Sequence, residues 1–341
     1  MKFGLVVSPP FPDIERAVKI AESAEKSNFD SVVIPDHTLM VPPGYTPNTF
    51  FLLSLIATKT HKISLGTGVT DFARHHPSTL AQFFATLENF AGPRIFLGVG
   101  AGEAMNIKPF GIEWRKPLRT LKEGIEVVKK LWSGERFNYN GEIFKLEDAF
   151  LQVKPNSEIP IYLGANSKKS RILCGMLCNG WMPIAETPKT YRENLKDVKK
   201  GAEKAGRSLD EIDTALQIYT AIDEDREKAL QRAKIFSGVV VSSLEKAEQA
   251  GYSFDFAVSK KFYFEELLVK EDLLARFIQM SAKVTDEMIE DFFIVGTPRD
   301  AEQKIEEFKK AGVKHLMLIN IGPDPKFVLK IYSEKVVPSF R

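Results

Sequence analysis

Short apolar runs rich in β-branched residues alternate along almost the whole chain with longer stretches of helical periodicity. Eight of these runs predict strands, which in chain order are Phe3–Val7, Ser31–Ile34, Ile63–Thr67, Ile95–Gly98, Ile159–Leu163, a short strand around Trp181, Thr214–Tyr219 and His315–Ile319. Most of the runs are continuously apolar, which is typical of strands buried on both faces of a parallel sheet.

The stretches between the strands place apolar residues at helical spacing and predict amphipathic helices. In chain order these are Ile14–Ser27, Thr49–Thr60, Ser78–Phe90, Pro117–Trp132, Ser170–Cys178, a helix from Thr187-Pro188 to Ala205, Glu224–Phe236 and Ala301–Ala311. Asp13 and the segment Thr297–Asp300 have the residue types that cap a helix start, and Pro77 suits a first helical position. The repeated alternation predicts an α/β protein with a (β/α)₈ TIM barrel, formed by residues 1–341 as a single domain.

Two segments interrupt the alternation and are predicted to be insertions, at about 101–158 and 237–293. The first contains Asn140-Gly141 between alternating apolar residues, which predicts a tight hairpin turn at that dipeptide. The second has helical periodicity and no clear strand, so we expect helices packed against the top of the barrel.

Composition excludes several classes of partner. The chain has 47 Lys and Arg against 45 Asp and Glu, for a formal net charge of +2. So even a balance favours a small-molecule substrate over a nucleic-acid or membrane surface. No apolar run approaches the roughly 18 residues of a membrane span, and the first residues lead into a strand pattern, so we expect a cytoplasmic protein. Cys174 and Cys178, four residues apart in a predicted helix, are expected to be buried and free.

In a TIM barrel the active site lies at the carboxyl ends of the strands. The residues predicted to fall there are Ser8, Asp36, His37, Gly68, Val69, Thr70, Gly100, Ala101, Gly102, Glu103, Gly164, Ala165 and Asn166. His37 is the candidate acid–base group, because an imidazole exchanges protons near neutral pH. Glu103 is a second candidate, as a carboxyl group buried under a ligand. From position alone, an exposed loop histidine and a surface carboxylate stay open as alternatives.

Other chemistry-bearing patterns are weaker. Gly98–Glu103 is similar to a dinucleotide-binding fingerprint, but Glu103 stands where the third glycine belongs and no initial βαβ unit carries the motif. His75 and His76 precede Pro77 and are interpreted as surface or helix-cap residues. No metal-binding motif is present in the sequence, so we expect no metal.

Several longer segments resemble one enzyme superfamily. Phe96–Asn106 and Leu131–Glu135 are similar to F420-dependent glucose-6-phosphate dehydrogenases. Segments similar to methylenetetrahydromethanopterin reductases are Gly66–Thr70, Phe110–Pro117, Ile159–Ala165, Ile222–Asp225 and Val295–Pro298. Together these motifs resemble the branch of the luciferase-like superfamily that uses the deazaflavin coenzyme F420, almost end to end and least in the helical insertion.

The resemblance implies a role for each matching residue. It places Asp36 in contact with the coenzyme, His37 facing the hydride-accepting ring, and Gly68-Val69 in a non-proline cis peptide behind that ring, next to Thr70. The other residues implied to bind the coenzyme's tail and ring edge are Ala101, Gly102, Glu103, Asn106, Gly164, Ala165 and Asn166. The family also implies a homodimer or homotetramer.

Departures from the family patterns limit the substrate prediction. The methanopterin reductases carry an acidic residue where this chain has Val6, and the sugar-phosphate dehydrogenases carry a tryptophan where it has Val41. We find no equivalent of the dehydrogenases' phosphate-binding lysine near Glu186. The expected reaction is hydride transfer between F420 and a small substrate, either a methylene-pterin or a secondary alcohol or ketone. In the latter case His37 would exchange the hydroxyl proton and Glu103 would assist.

Two alternative functions stay open at this point. A luciferase-like monooxygenase would use FMN and oxygen in the same barrel, although the Gly102–Asn106 pattern favours the deazaflavin. A non-catalytic coenzyme-binding barrel would keep the glycine loops, but it would have no need of both His37 and Glu103.

Overall fold

The computed structural model describes residues 1–7, 13–41, 46–322 and 325–341. The strands in chain order are β1 (Lys2–Val6), β2 (Ser31–Ile34), β3 (Ser64–Thr67), β4 (Thr70–Asp71), β5 (Ile95–Gly100), β6 (Phe137–Asn140), β7 (Lys145–Ala149), β8 (Ile161–Leu163), β9 (Gly180–Trp181), β10 (Asp213–Ile222), β11 (Ile294–Gly296) and β12 (His315–Asn320). Strands β1, β2, β3, β5, β8, β9, β10 and β12 pair in parallel in that order, and β12 pairs with β1 to close the ring. The predicted (β/α)₈ TIM barrel is confirmed.

The helices in chain order are α1 (Ile14–Lys26), α2 (Thr49–Lys59), α3 (Pro77–Ala91), α4 (Ala104–Ile107), α5 (Pro117–Ser133), α6 (Lys168–Leu177), α7 (Pro188–Lys204), α8 (Arg226–Ile235), α9 (Gly238–Ser242), α10 (Leu244–Ala250), α11 (Glu271–Ser281), α12 (Asp286–Phe292), α13 (Pro298–Ala311) and α14 (Pro325–Ile331). Short 3-10 turns span Lys108–Phe110, Leu209–Glu211 and Val337–Phe340, and π turns span Phe262–Glu266 and Tyr332–Val336. Every helix predicted from the sequence is present, and the bounds differ by at most three residues.

Side-chain caps explain where several helices begin. The carboxylate of Asp13 accepts a hydrogen bond from the backbone N–H of Arg16, as its residue type predicted. Thr297 and Asp300 form a reciprocal capping box, although the helix already begins at Pro298. These caps satisfy backbone N–H groups that have no partner within the helix.

The first predicted insertion contains a helix of the barrel itself. Helix α5 packs against α3 and α6, so it takes its place in the outer ring between β5 and β8. The additions to the barrel are the segment 101–116 and the antiparallel pair β6–β7.

The hairpin β6–β7 is confirmed, but its turn lies later than predicted. Asn140 pairs with Lys145, and the N–H of Gly141 donates to the carbonyl of Phe144, so the chain turns at Glu142-Ile143 rather than at Asn140-Gly141. The buried carboxylate of Glu123 on α5 accepts the backbone N–H groups of residues 142, 143 and 144 at 2.9 to 3.1 Å. The turn therefore forms where Glu123 can bind its backbone donors, a contact between distant residues that the dipeptide signal does not contain.

Within residues 237–293 the structure shows helices α9 to α12 and a π turn, and no strand. An apolar cluster packs Leu244, Phe262 and Phe277 of this region against Met105 on α4, in the segment that follows β5, and all four residues are buried. The helical insertion therefore covers one side of the barrel's carboxyl end. Directly after it comes β11, which the sequence analysis missed because three apolar residues following a helix show no strand alternation.

The amino ends of the strands are held by a buried polar network. The carboxylate of Asp213 accepts from Tyr162 Oη at 2.8 Å and lies 3.2 Å from His315 Nδ1, while His315 Nε2 lies 2.9 Å from Ser31 Oγ. Burial opposes ionisation of Asp213, but His315 and Lys2 hold the pKa of this carboxyl well below its usual range. The network ties β2, β8, β10 and β12 together at the end of the barrel opposite the predicted active site.

The structure also bears on the two cysteines and on membrane-spanning helices. Cys174 and Cys178 are buried free thiols, as predicted. Among the described residues, no helix has the length and apolar character needed to cross a membrane.

Candidate functional site

The carboxyl ends of the barrel strands surround a cavity of about 500 Å³, a volume typical of small-molecule sites. Of the fourteen residues that the sequence analysis placed at the site, twelve line it: Asp36, His37, Gly68, Val69, Thr70, Gly100, Ala101, Gly102, Glu103, Asn106, Gly164 and Asn166. Ala165 is fully buried behind the wall, where its carbonyl accepts from Trp181 Nε1 at 2.9 Å. Ser8 lies outside the described residues.

Asp36, which follows β2, is a buried carboxylate with three partners on one of its oxygens. Its Oδ2 accepts from Thr70 Oγ1 at 2.6 Å and from Arg74 Nη2 at 2.9 Å, and it lies 3.0 Å from His75 Nε2. Burial alone would raise the pKa of Asp36, but the His75 hydrogen bond, the charge of Arg74 and the Thr70 hydrogen bond lower it to about 2. Asp36 is therefore a permanent anion and does not exchange protons near neutral pH.

Arg74 and Asp71 belong to the site but were missed in the sequence. Arg74 Nε donates to Asp71 Oδ2 at 2.6 Å, and its Nη2 also donates to the backbone carbonyl of Asp36 at 2.6 Å. Both side chains are buried and line the cavity. The only sequence signal was the closeness of Asp71 and Arg74 to Thr70, which does not indicate that the arginine turns back toward the loop after β2.

His75 and His76 were both predicted to be surface or helix-cap residues, and the structure confirms this for His76 only. His76 caps α3, since its Nδ1 accepts from the backbone N–H of Ser78, as a helix-cap residue would. His75, in contrast, is not a surface residue but packs its ring against Phe50 and contacts Asp36. The neighbouring strand end brings Asp36 within reach, and a single sequence does not show that contact.

His37 is oriented by the amide of Asn106 on α4. Asn106 is buried, and its Oδ1 accepts the backbone N–H groups of Thr38 and Leu39 at 2.7 and 2.8 Å. The amide nitrogen must therefore be the atom 3.0 Å from His37 Nδ1, and an amide nitrogen can only donate. Neutral His37 consequently carries its proton on Nε2, which has no hydrogen-bond partner among the described residues.

Glu103 stands at the other side of the same ring nitrogen. Its Oε2 lies 3.5 Å from His37 Nδ1 and 3.4 Å from Asn106 Nδ2, and both ionisable side chains are 20% exposed. A distance of 3.5 Å is at the limit of a hydrogen bond, so the 3.0 Å contact from Asn106 dominates while the ring is neutral. The fold thus brings together two residues that the sequence analysis placed at the ends of different strands.

Two tyrosines from the neighbouring elements face Glu103. Burial, with a smaller contribution from the charge of Glu103, raises the pKa of Tyr219 to about 12. Burial likewise raises the pKa of Tyr263 well above its usual range, again with Glu103 adding to the effect. Both phenols are therefore neutral near neutral pH, and neither tyrosine is among the residues that line the cavity.

The backbone comes close to the cavity at two glycines. A Cβ at Gly100 would lie 2.5 Å from Val69 Cγ2, and one at Gly102, whose φ is +84°, would lie 2.6 Å from Ile107 Cδ1. Neither position accepts a larger residue without rearrangement. The Gly68–Val69 peptide bond is cis, as the resemblance implied.

A lysine does lie beside Glu186, although the sequence analysis found none near it. Lys246 comes from α10 in the helical insertion, and its Nζ lies 2.7 Å from Glu186 Oε1. Both side chains are buried. The lysine was missed because sixty residues separate the two positions in the sequence.

The rim of the cavity carries charges of both signs. Exposed Lys169, Lys260 and Lys261 line it, as do Glu245 and Glu265, and two of the lysines are paired, Lys260 with Glu248 and Lys261 with Glu265. Arg171, by contrast, is buried and donates to the carboxylate of Asp197 and to the carbonyl of Asn166. Of the basic side chains at the start of α6, Lys169 is therefore available to an anion at the cavity mouth and Arg171 is a structural residue.

Comparison with known proteins places this geometry among related enzymes. The sequence pattern of the luciferase-like monooxygenase family matches residues 1–315. The chain is 34% identical over 346 residues to a 5,10-methylenetetrahydromethanopterin reductase from Archaeoglobus fulgidus, covering all of both chains. It is 30% identical to an F420-dependent glucose-6-phosphate dehydrogenase from Nakamurella multipartita, covering 100% of this chain and 97% of the other.

A solved structure is similar over the same extent. The F420-dependent secondary alcohol dehydrogenase in complex with an F420–acetone adduct superposes with a TM-score of 0.85 at 28% identity, covering 100% of this chain and 99% of that one. These similarities agree with the resemblance inferred from the sequence motifs.

Replacing Asp36 by asparagine keeps the shape of the side chain and removes its charge. Because the folded pKa of Asp36 is lowered from 3.8 to about 2, the carboxylate stabilises the fold above its unfolded pKa, and this contribution is lost as pH falls through the folded value. We expect D36N to be less stable than the wild type by roughly 2 kcal/mol near neutral pH. The difference should shrink as the pH is lowered toward 2. Urea unfolding at several pH values measures it.

The exposed substitution Glu334→Gln serves as the control and should leave the free energy of unfolding nearly unchanged at each pH. A loss in D36N that has the same size at neutral and at acidic pH would contradict the assignment of Asp36 as a charged group held by Arg74 and His75.

Proposed function

This chain belongs to the luciferase-like monooxygenase family, and from that premise we propose that it is a coenzyme F420-dependent oxidoreductase acting on a ketone or secondary alcohol. The observation that carries the substrate class is the orientation of His37, whose Nε2–H is left without a protein partner among the described residues. A hydride acceptor with a carbonyl oxygen needs such a donor, because negative charge develops on that oxygen.

The cavity fits the coenzyme. Gly100 and Gly102 line it with backbone alone, and Asn166 supplies an amide group at its edge, while Asn106 orients His37. At the mouth, Lys169, for which the described residues offer no carboxylate partner, suits the anionic phosphate and carboxylates of the coenzyme's tail. When bound, F420 supplies a two-electron hydride donor or acceptor, and the protein's task is alignment and proton handling.

His37 handles the proton. In the direction of ketone reduction its Nε2–H donates to the carbonyl oxygen and stabilises the charge that develops there. A neutral imidazole that gave up its Nε2 proton would become an anion, so transfer of this proton to the alkoxide has to be matched by uptake of a proton from solvent at Nδ1. Nδ1 would then no longer accept from Asn106 and would instead donate toward Glu103 Oε2, 3.5 Å away, whose negative charge offsets that of the imidazolium.

The surroundings favour a neutral substrate. Lys246, which lies behind this wall, is already neutralised by Glu186. A sugar phosphate would find no free buried cation among these residues, which supports an alcohol or ketone over a phosphorylated substrate.

A second candidate is reduction of a methylene-pterin. It is favoured by the 34% identity to the Archaeoglobus fulgidus reductase over the full length of both chains. An iminium carbon accepts a hydride without developing negative charge on oxygen, so His37 would then position the substrate rather than donate a proton. His37 must therefore donate a proton if the substrate is a ketone, and need not do so if it is a methylene-pterin.

Equilibrium titration of the purified protein with oxidised F420 and, separately, with FMN tests the coenzyme. We expect tight binding of F420 and weak binding of FMN. Preference for FMN would overturn the assignment and favour the monooxygenase alternative. Tight F420 binding without turnover of any ketone, secondary alcohol or methylene-pterin would favour a non-catalytic coenzyme-binding barrel.

Replacing His37 by alanine separates the two substrate classes. If the substrate is a ketone or alcohol, kcat should fall by roughly 10²-fold or more, because the proton donor is lost. If it is a methylene-pterin, the loss should be far smaller. His61→Ala is the matched control, since His61 is exposed and lies in the turn before β3, away from the cavity. Equal losses for both substrates in H37A would contradict the role of His37 as a proton donor.

The family resemblance also supports a cytoplasmic protein that assembles as a homodimer or homotetramer, and we include both in the proposal. Sedimentation analysis of the purified chain tests the assembly, and a monomer at micromolar concentration would contradict it.

A further inference from the structure

The ammonium group of Lys246 joins the helical insertion to two loops at the carboxyl end of the barrel. It donates to Asn166 Oδ1 at 2.8 Å, to the backbone carbonyl of Ile184, and to Glu186 Oε1 at 2.7 Å. A lysine has three N–H donors, so all of them are used. The contacts reach the loop after β8 and the loop after β9, and they hold the start of α10 against both.

This ion pair is closed on its other side as well. Glu186 Oε2 accepts from Thr190 Oγ1 at 2.6 Å and from Asn194 Nδ2 at 3.0 Å. The side chains of Lys246 and Glu186 are 2% and 0% exposed. A buried pair with every polar atom satisfied is tolerated in a protein interior, whereas a single member would be costly to bury. Lys246 is thus a structural cation rather than a free site for an anion.

The contact with Lys246 determines which atom of the Asn166 amide faces the cavity. Because the amide oxygen of Asn166 accepts from Lys246, the amide cannot flip without placing N–H groups against the ammonium. Its Nδ2 has no hydrogen-bond partner among the described residues. Among the described residues, every buried side-chain nitrogen or oxygen has a hydrogen-bond partner. Nδ2 of Asn166 has none, so it must be accessible to solvent. Asn166 lines the cavity, and therefore it is an N–H donor that is presented to a ligand.

The backbone of Asn166 is fixed independently. Its carbonyl accepts from Arg171 Nη1 at 2.8 Å, and Arg171 in turn pairs with Asp197 at 2.9 Å. With both its oxygens occupied by cations, Asn166 has one side-chain polar group free, the Nδ2 amide. Ser243 and Glu245, which come just before Lys246 in the chain, also line the cavity.

We propose that Lys246 is a positioning residue for the coenzyme site: it fixes Asn166 as a hydrogen-bond donor to an acceptor atom of the bound deazaflavin, and it couples the docking of α10 to occupancy of the cavity. The identity of the ligand rests on the function proposed above. Coupling of this kind is reciprocal, so a ligand that uses the Asn166 donor also stabilises the docked insertion.

The test compares F420 dissociation constants in a double-mutant design. The pair K246M/E186Q removes both buried charges at nearly constant volume, and Asn166→Ala removes the donor. Each should weaken F420 binding by about tenfold, the effect of one lost hydrogen bond. The combination of all three substitutions should weaken it no further, because the two changes remove the same contact. Lys196→Met, an exposed lysine on α7 paired with Glu193, is the control and should bind as the wild type does.

Hydrogen exchange gives a readout besides affinity. In the wild type, F420 should slow the exchange of backbone amides in residues 244–250, and in Asn166→Ala it should not. Should K246M/E186Q fail to fold, Asn166→Asp keeps an oxygen for Lys246 while removing the N–H donor, and it should show the same tenfold loss.

The outcomes separate this proposal from the function on which it rests. If the wild-type chain does not bind F420, the proposed function is overturned, and this proposal with it. If the wild type binds F420 but the variants bind equally well, or if their losses add, only the role of Lys246 is overturned.

Discussion

The amide of Asn106 is the constraint on which the geometry of the site depends. Its oxygen is occupied by two backbone N–H groups of the loop after β2, so its nitrogen is the atom that faces the site. That nitrogen donates to His37, which lies on the same loop, at 3.0 Å, and it also lies 3.4 Å from Glu103 Oε2. One buried side chain on α4 thus holds the loop after β2 to the loop after β5, and at the same time determines which nitrogen of His37 carries the proton. Without this contact, His37 would be an ordinary loop histidine.

Around this pair the barrel places charges that are already neutralised. Asp36 is matched by Arg74, and Glu186 by Lys246. The pKa of Asp36 is lowered to about 2, so this carboxylate contributes a fixed charge to the cavity near neutral pH. His37 and Glu103 remain partly exposed beside it, and in the proposed mechanism His37 moves the proton.

The local signals in the sequence were sufficient for the barrel. Continuous apolar runs, caps such as Asp13 and Thr297, and the glycine-bearing strand ends are properties of neighbouring residues, and the elements they predict are present. What could not be predicted depends on contacts between distant residues. Glu123 moves the hairpin turn, Arg74 reaches back to Asp36, and Lys246 meets Glu186 across sixty positions of sequence.

For the site, the sequence alone identified the residue types, whereas their arrangement required the fold. The resemblance to known motifs added the coenzyme and the cis bond at Gly68-Val69, neither of which follows from periodicity. It did not give the direction of the Asn106 amide, because that depends on which backbone N–H groups the loop after β2 turns inward.

The measurement that tests this account most directly is the tautomer of His37, determined by nitrogen-15 NMR of the imidazole in the uniformly labelled protein at neutral pH. The signal is assigned by its absence in the His37→Ala spectrum. The account predicts that the proton resides on Nε2, with Nδ1 unprotonated and accepting from Asn106. A proton found on Nδ1 in the resting protein would contradict it, because Asn106 would then not be the group that sets the ring and His37 would act as a base rather than a donor.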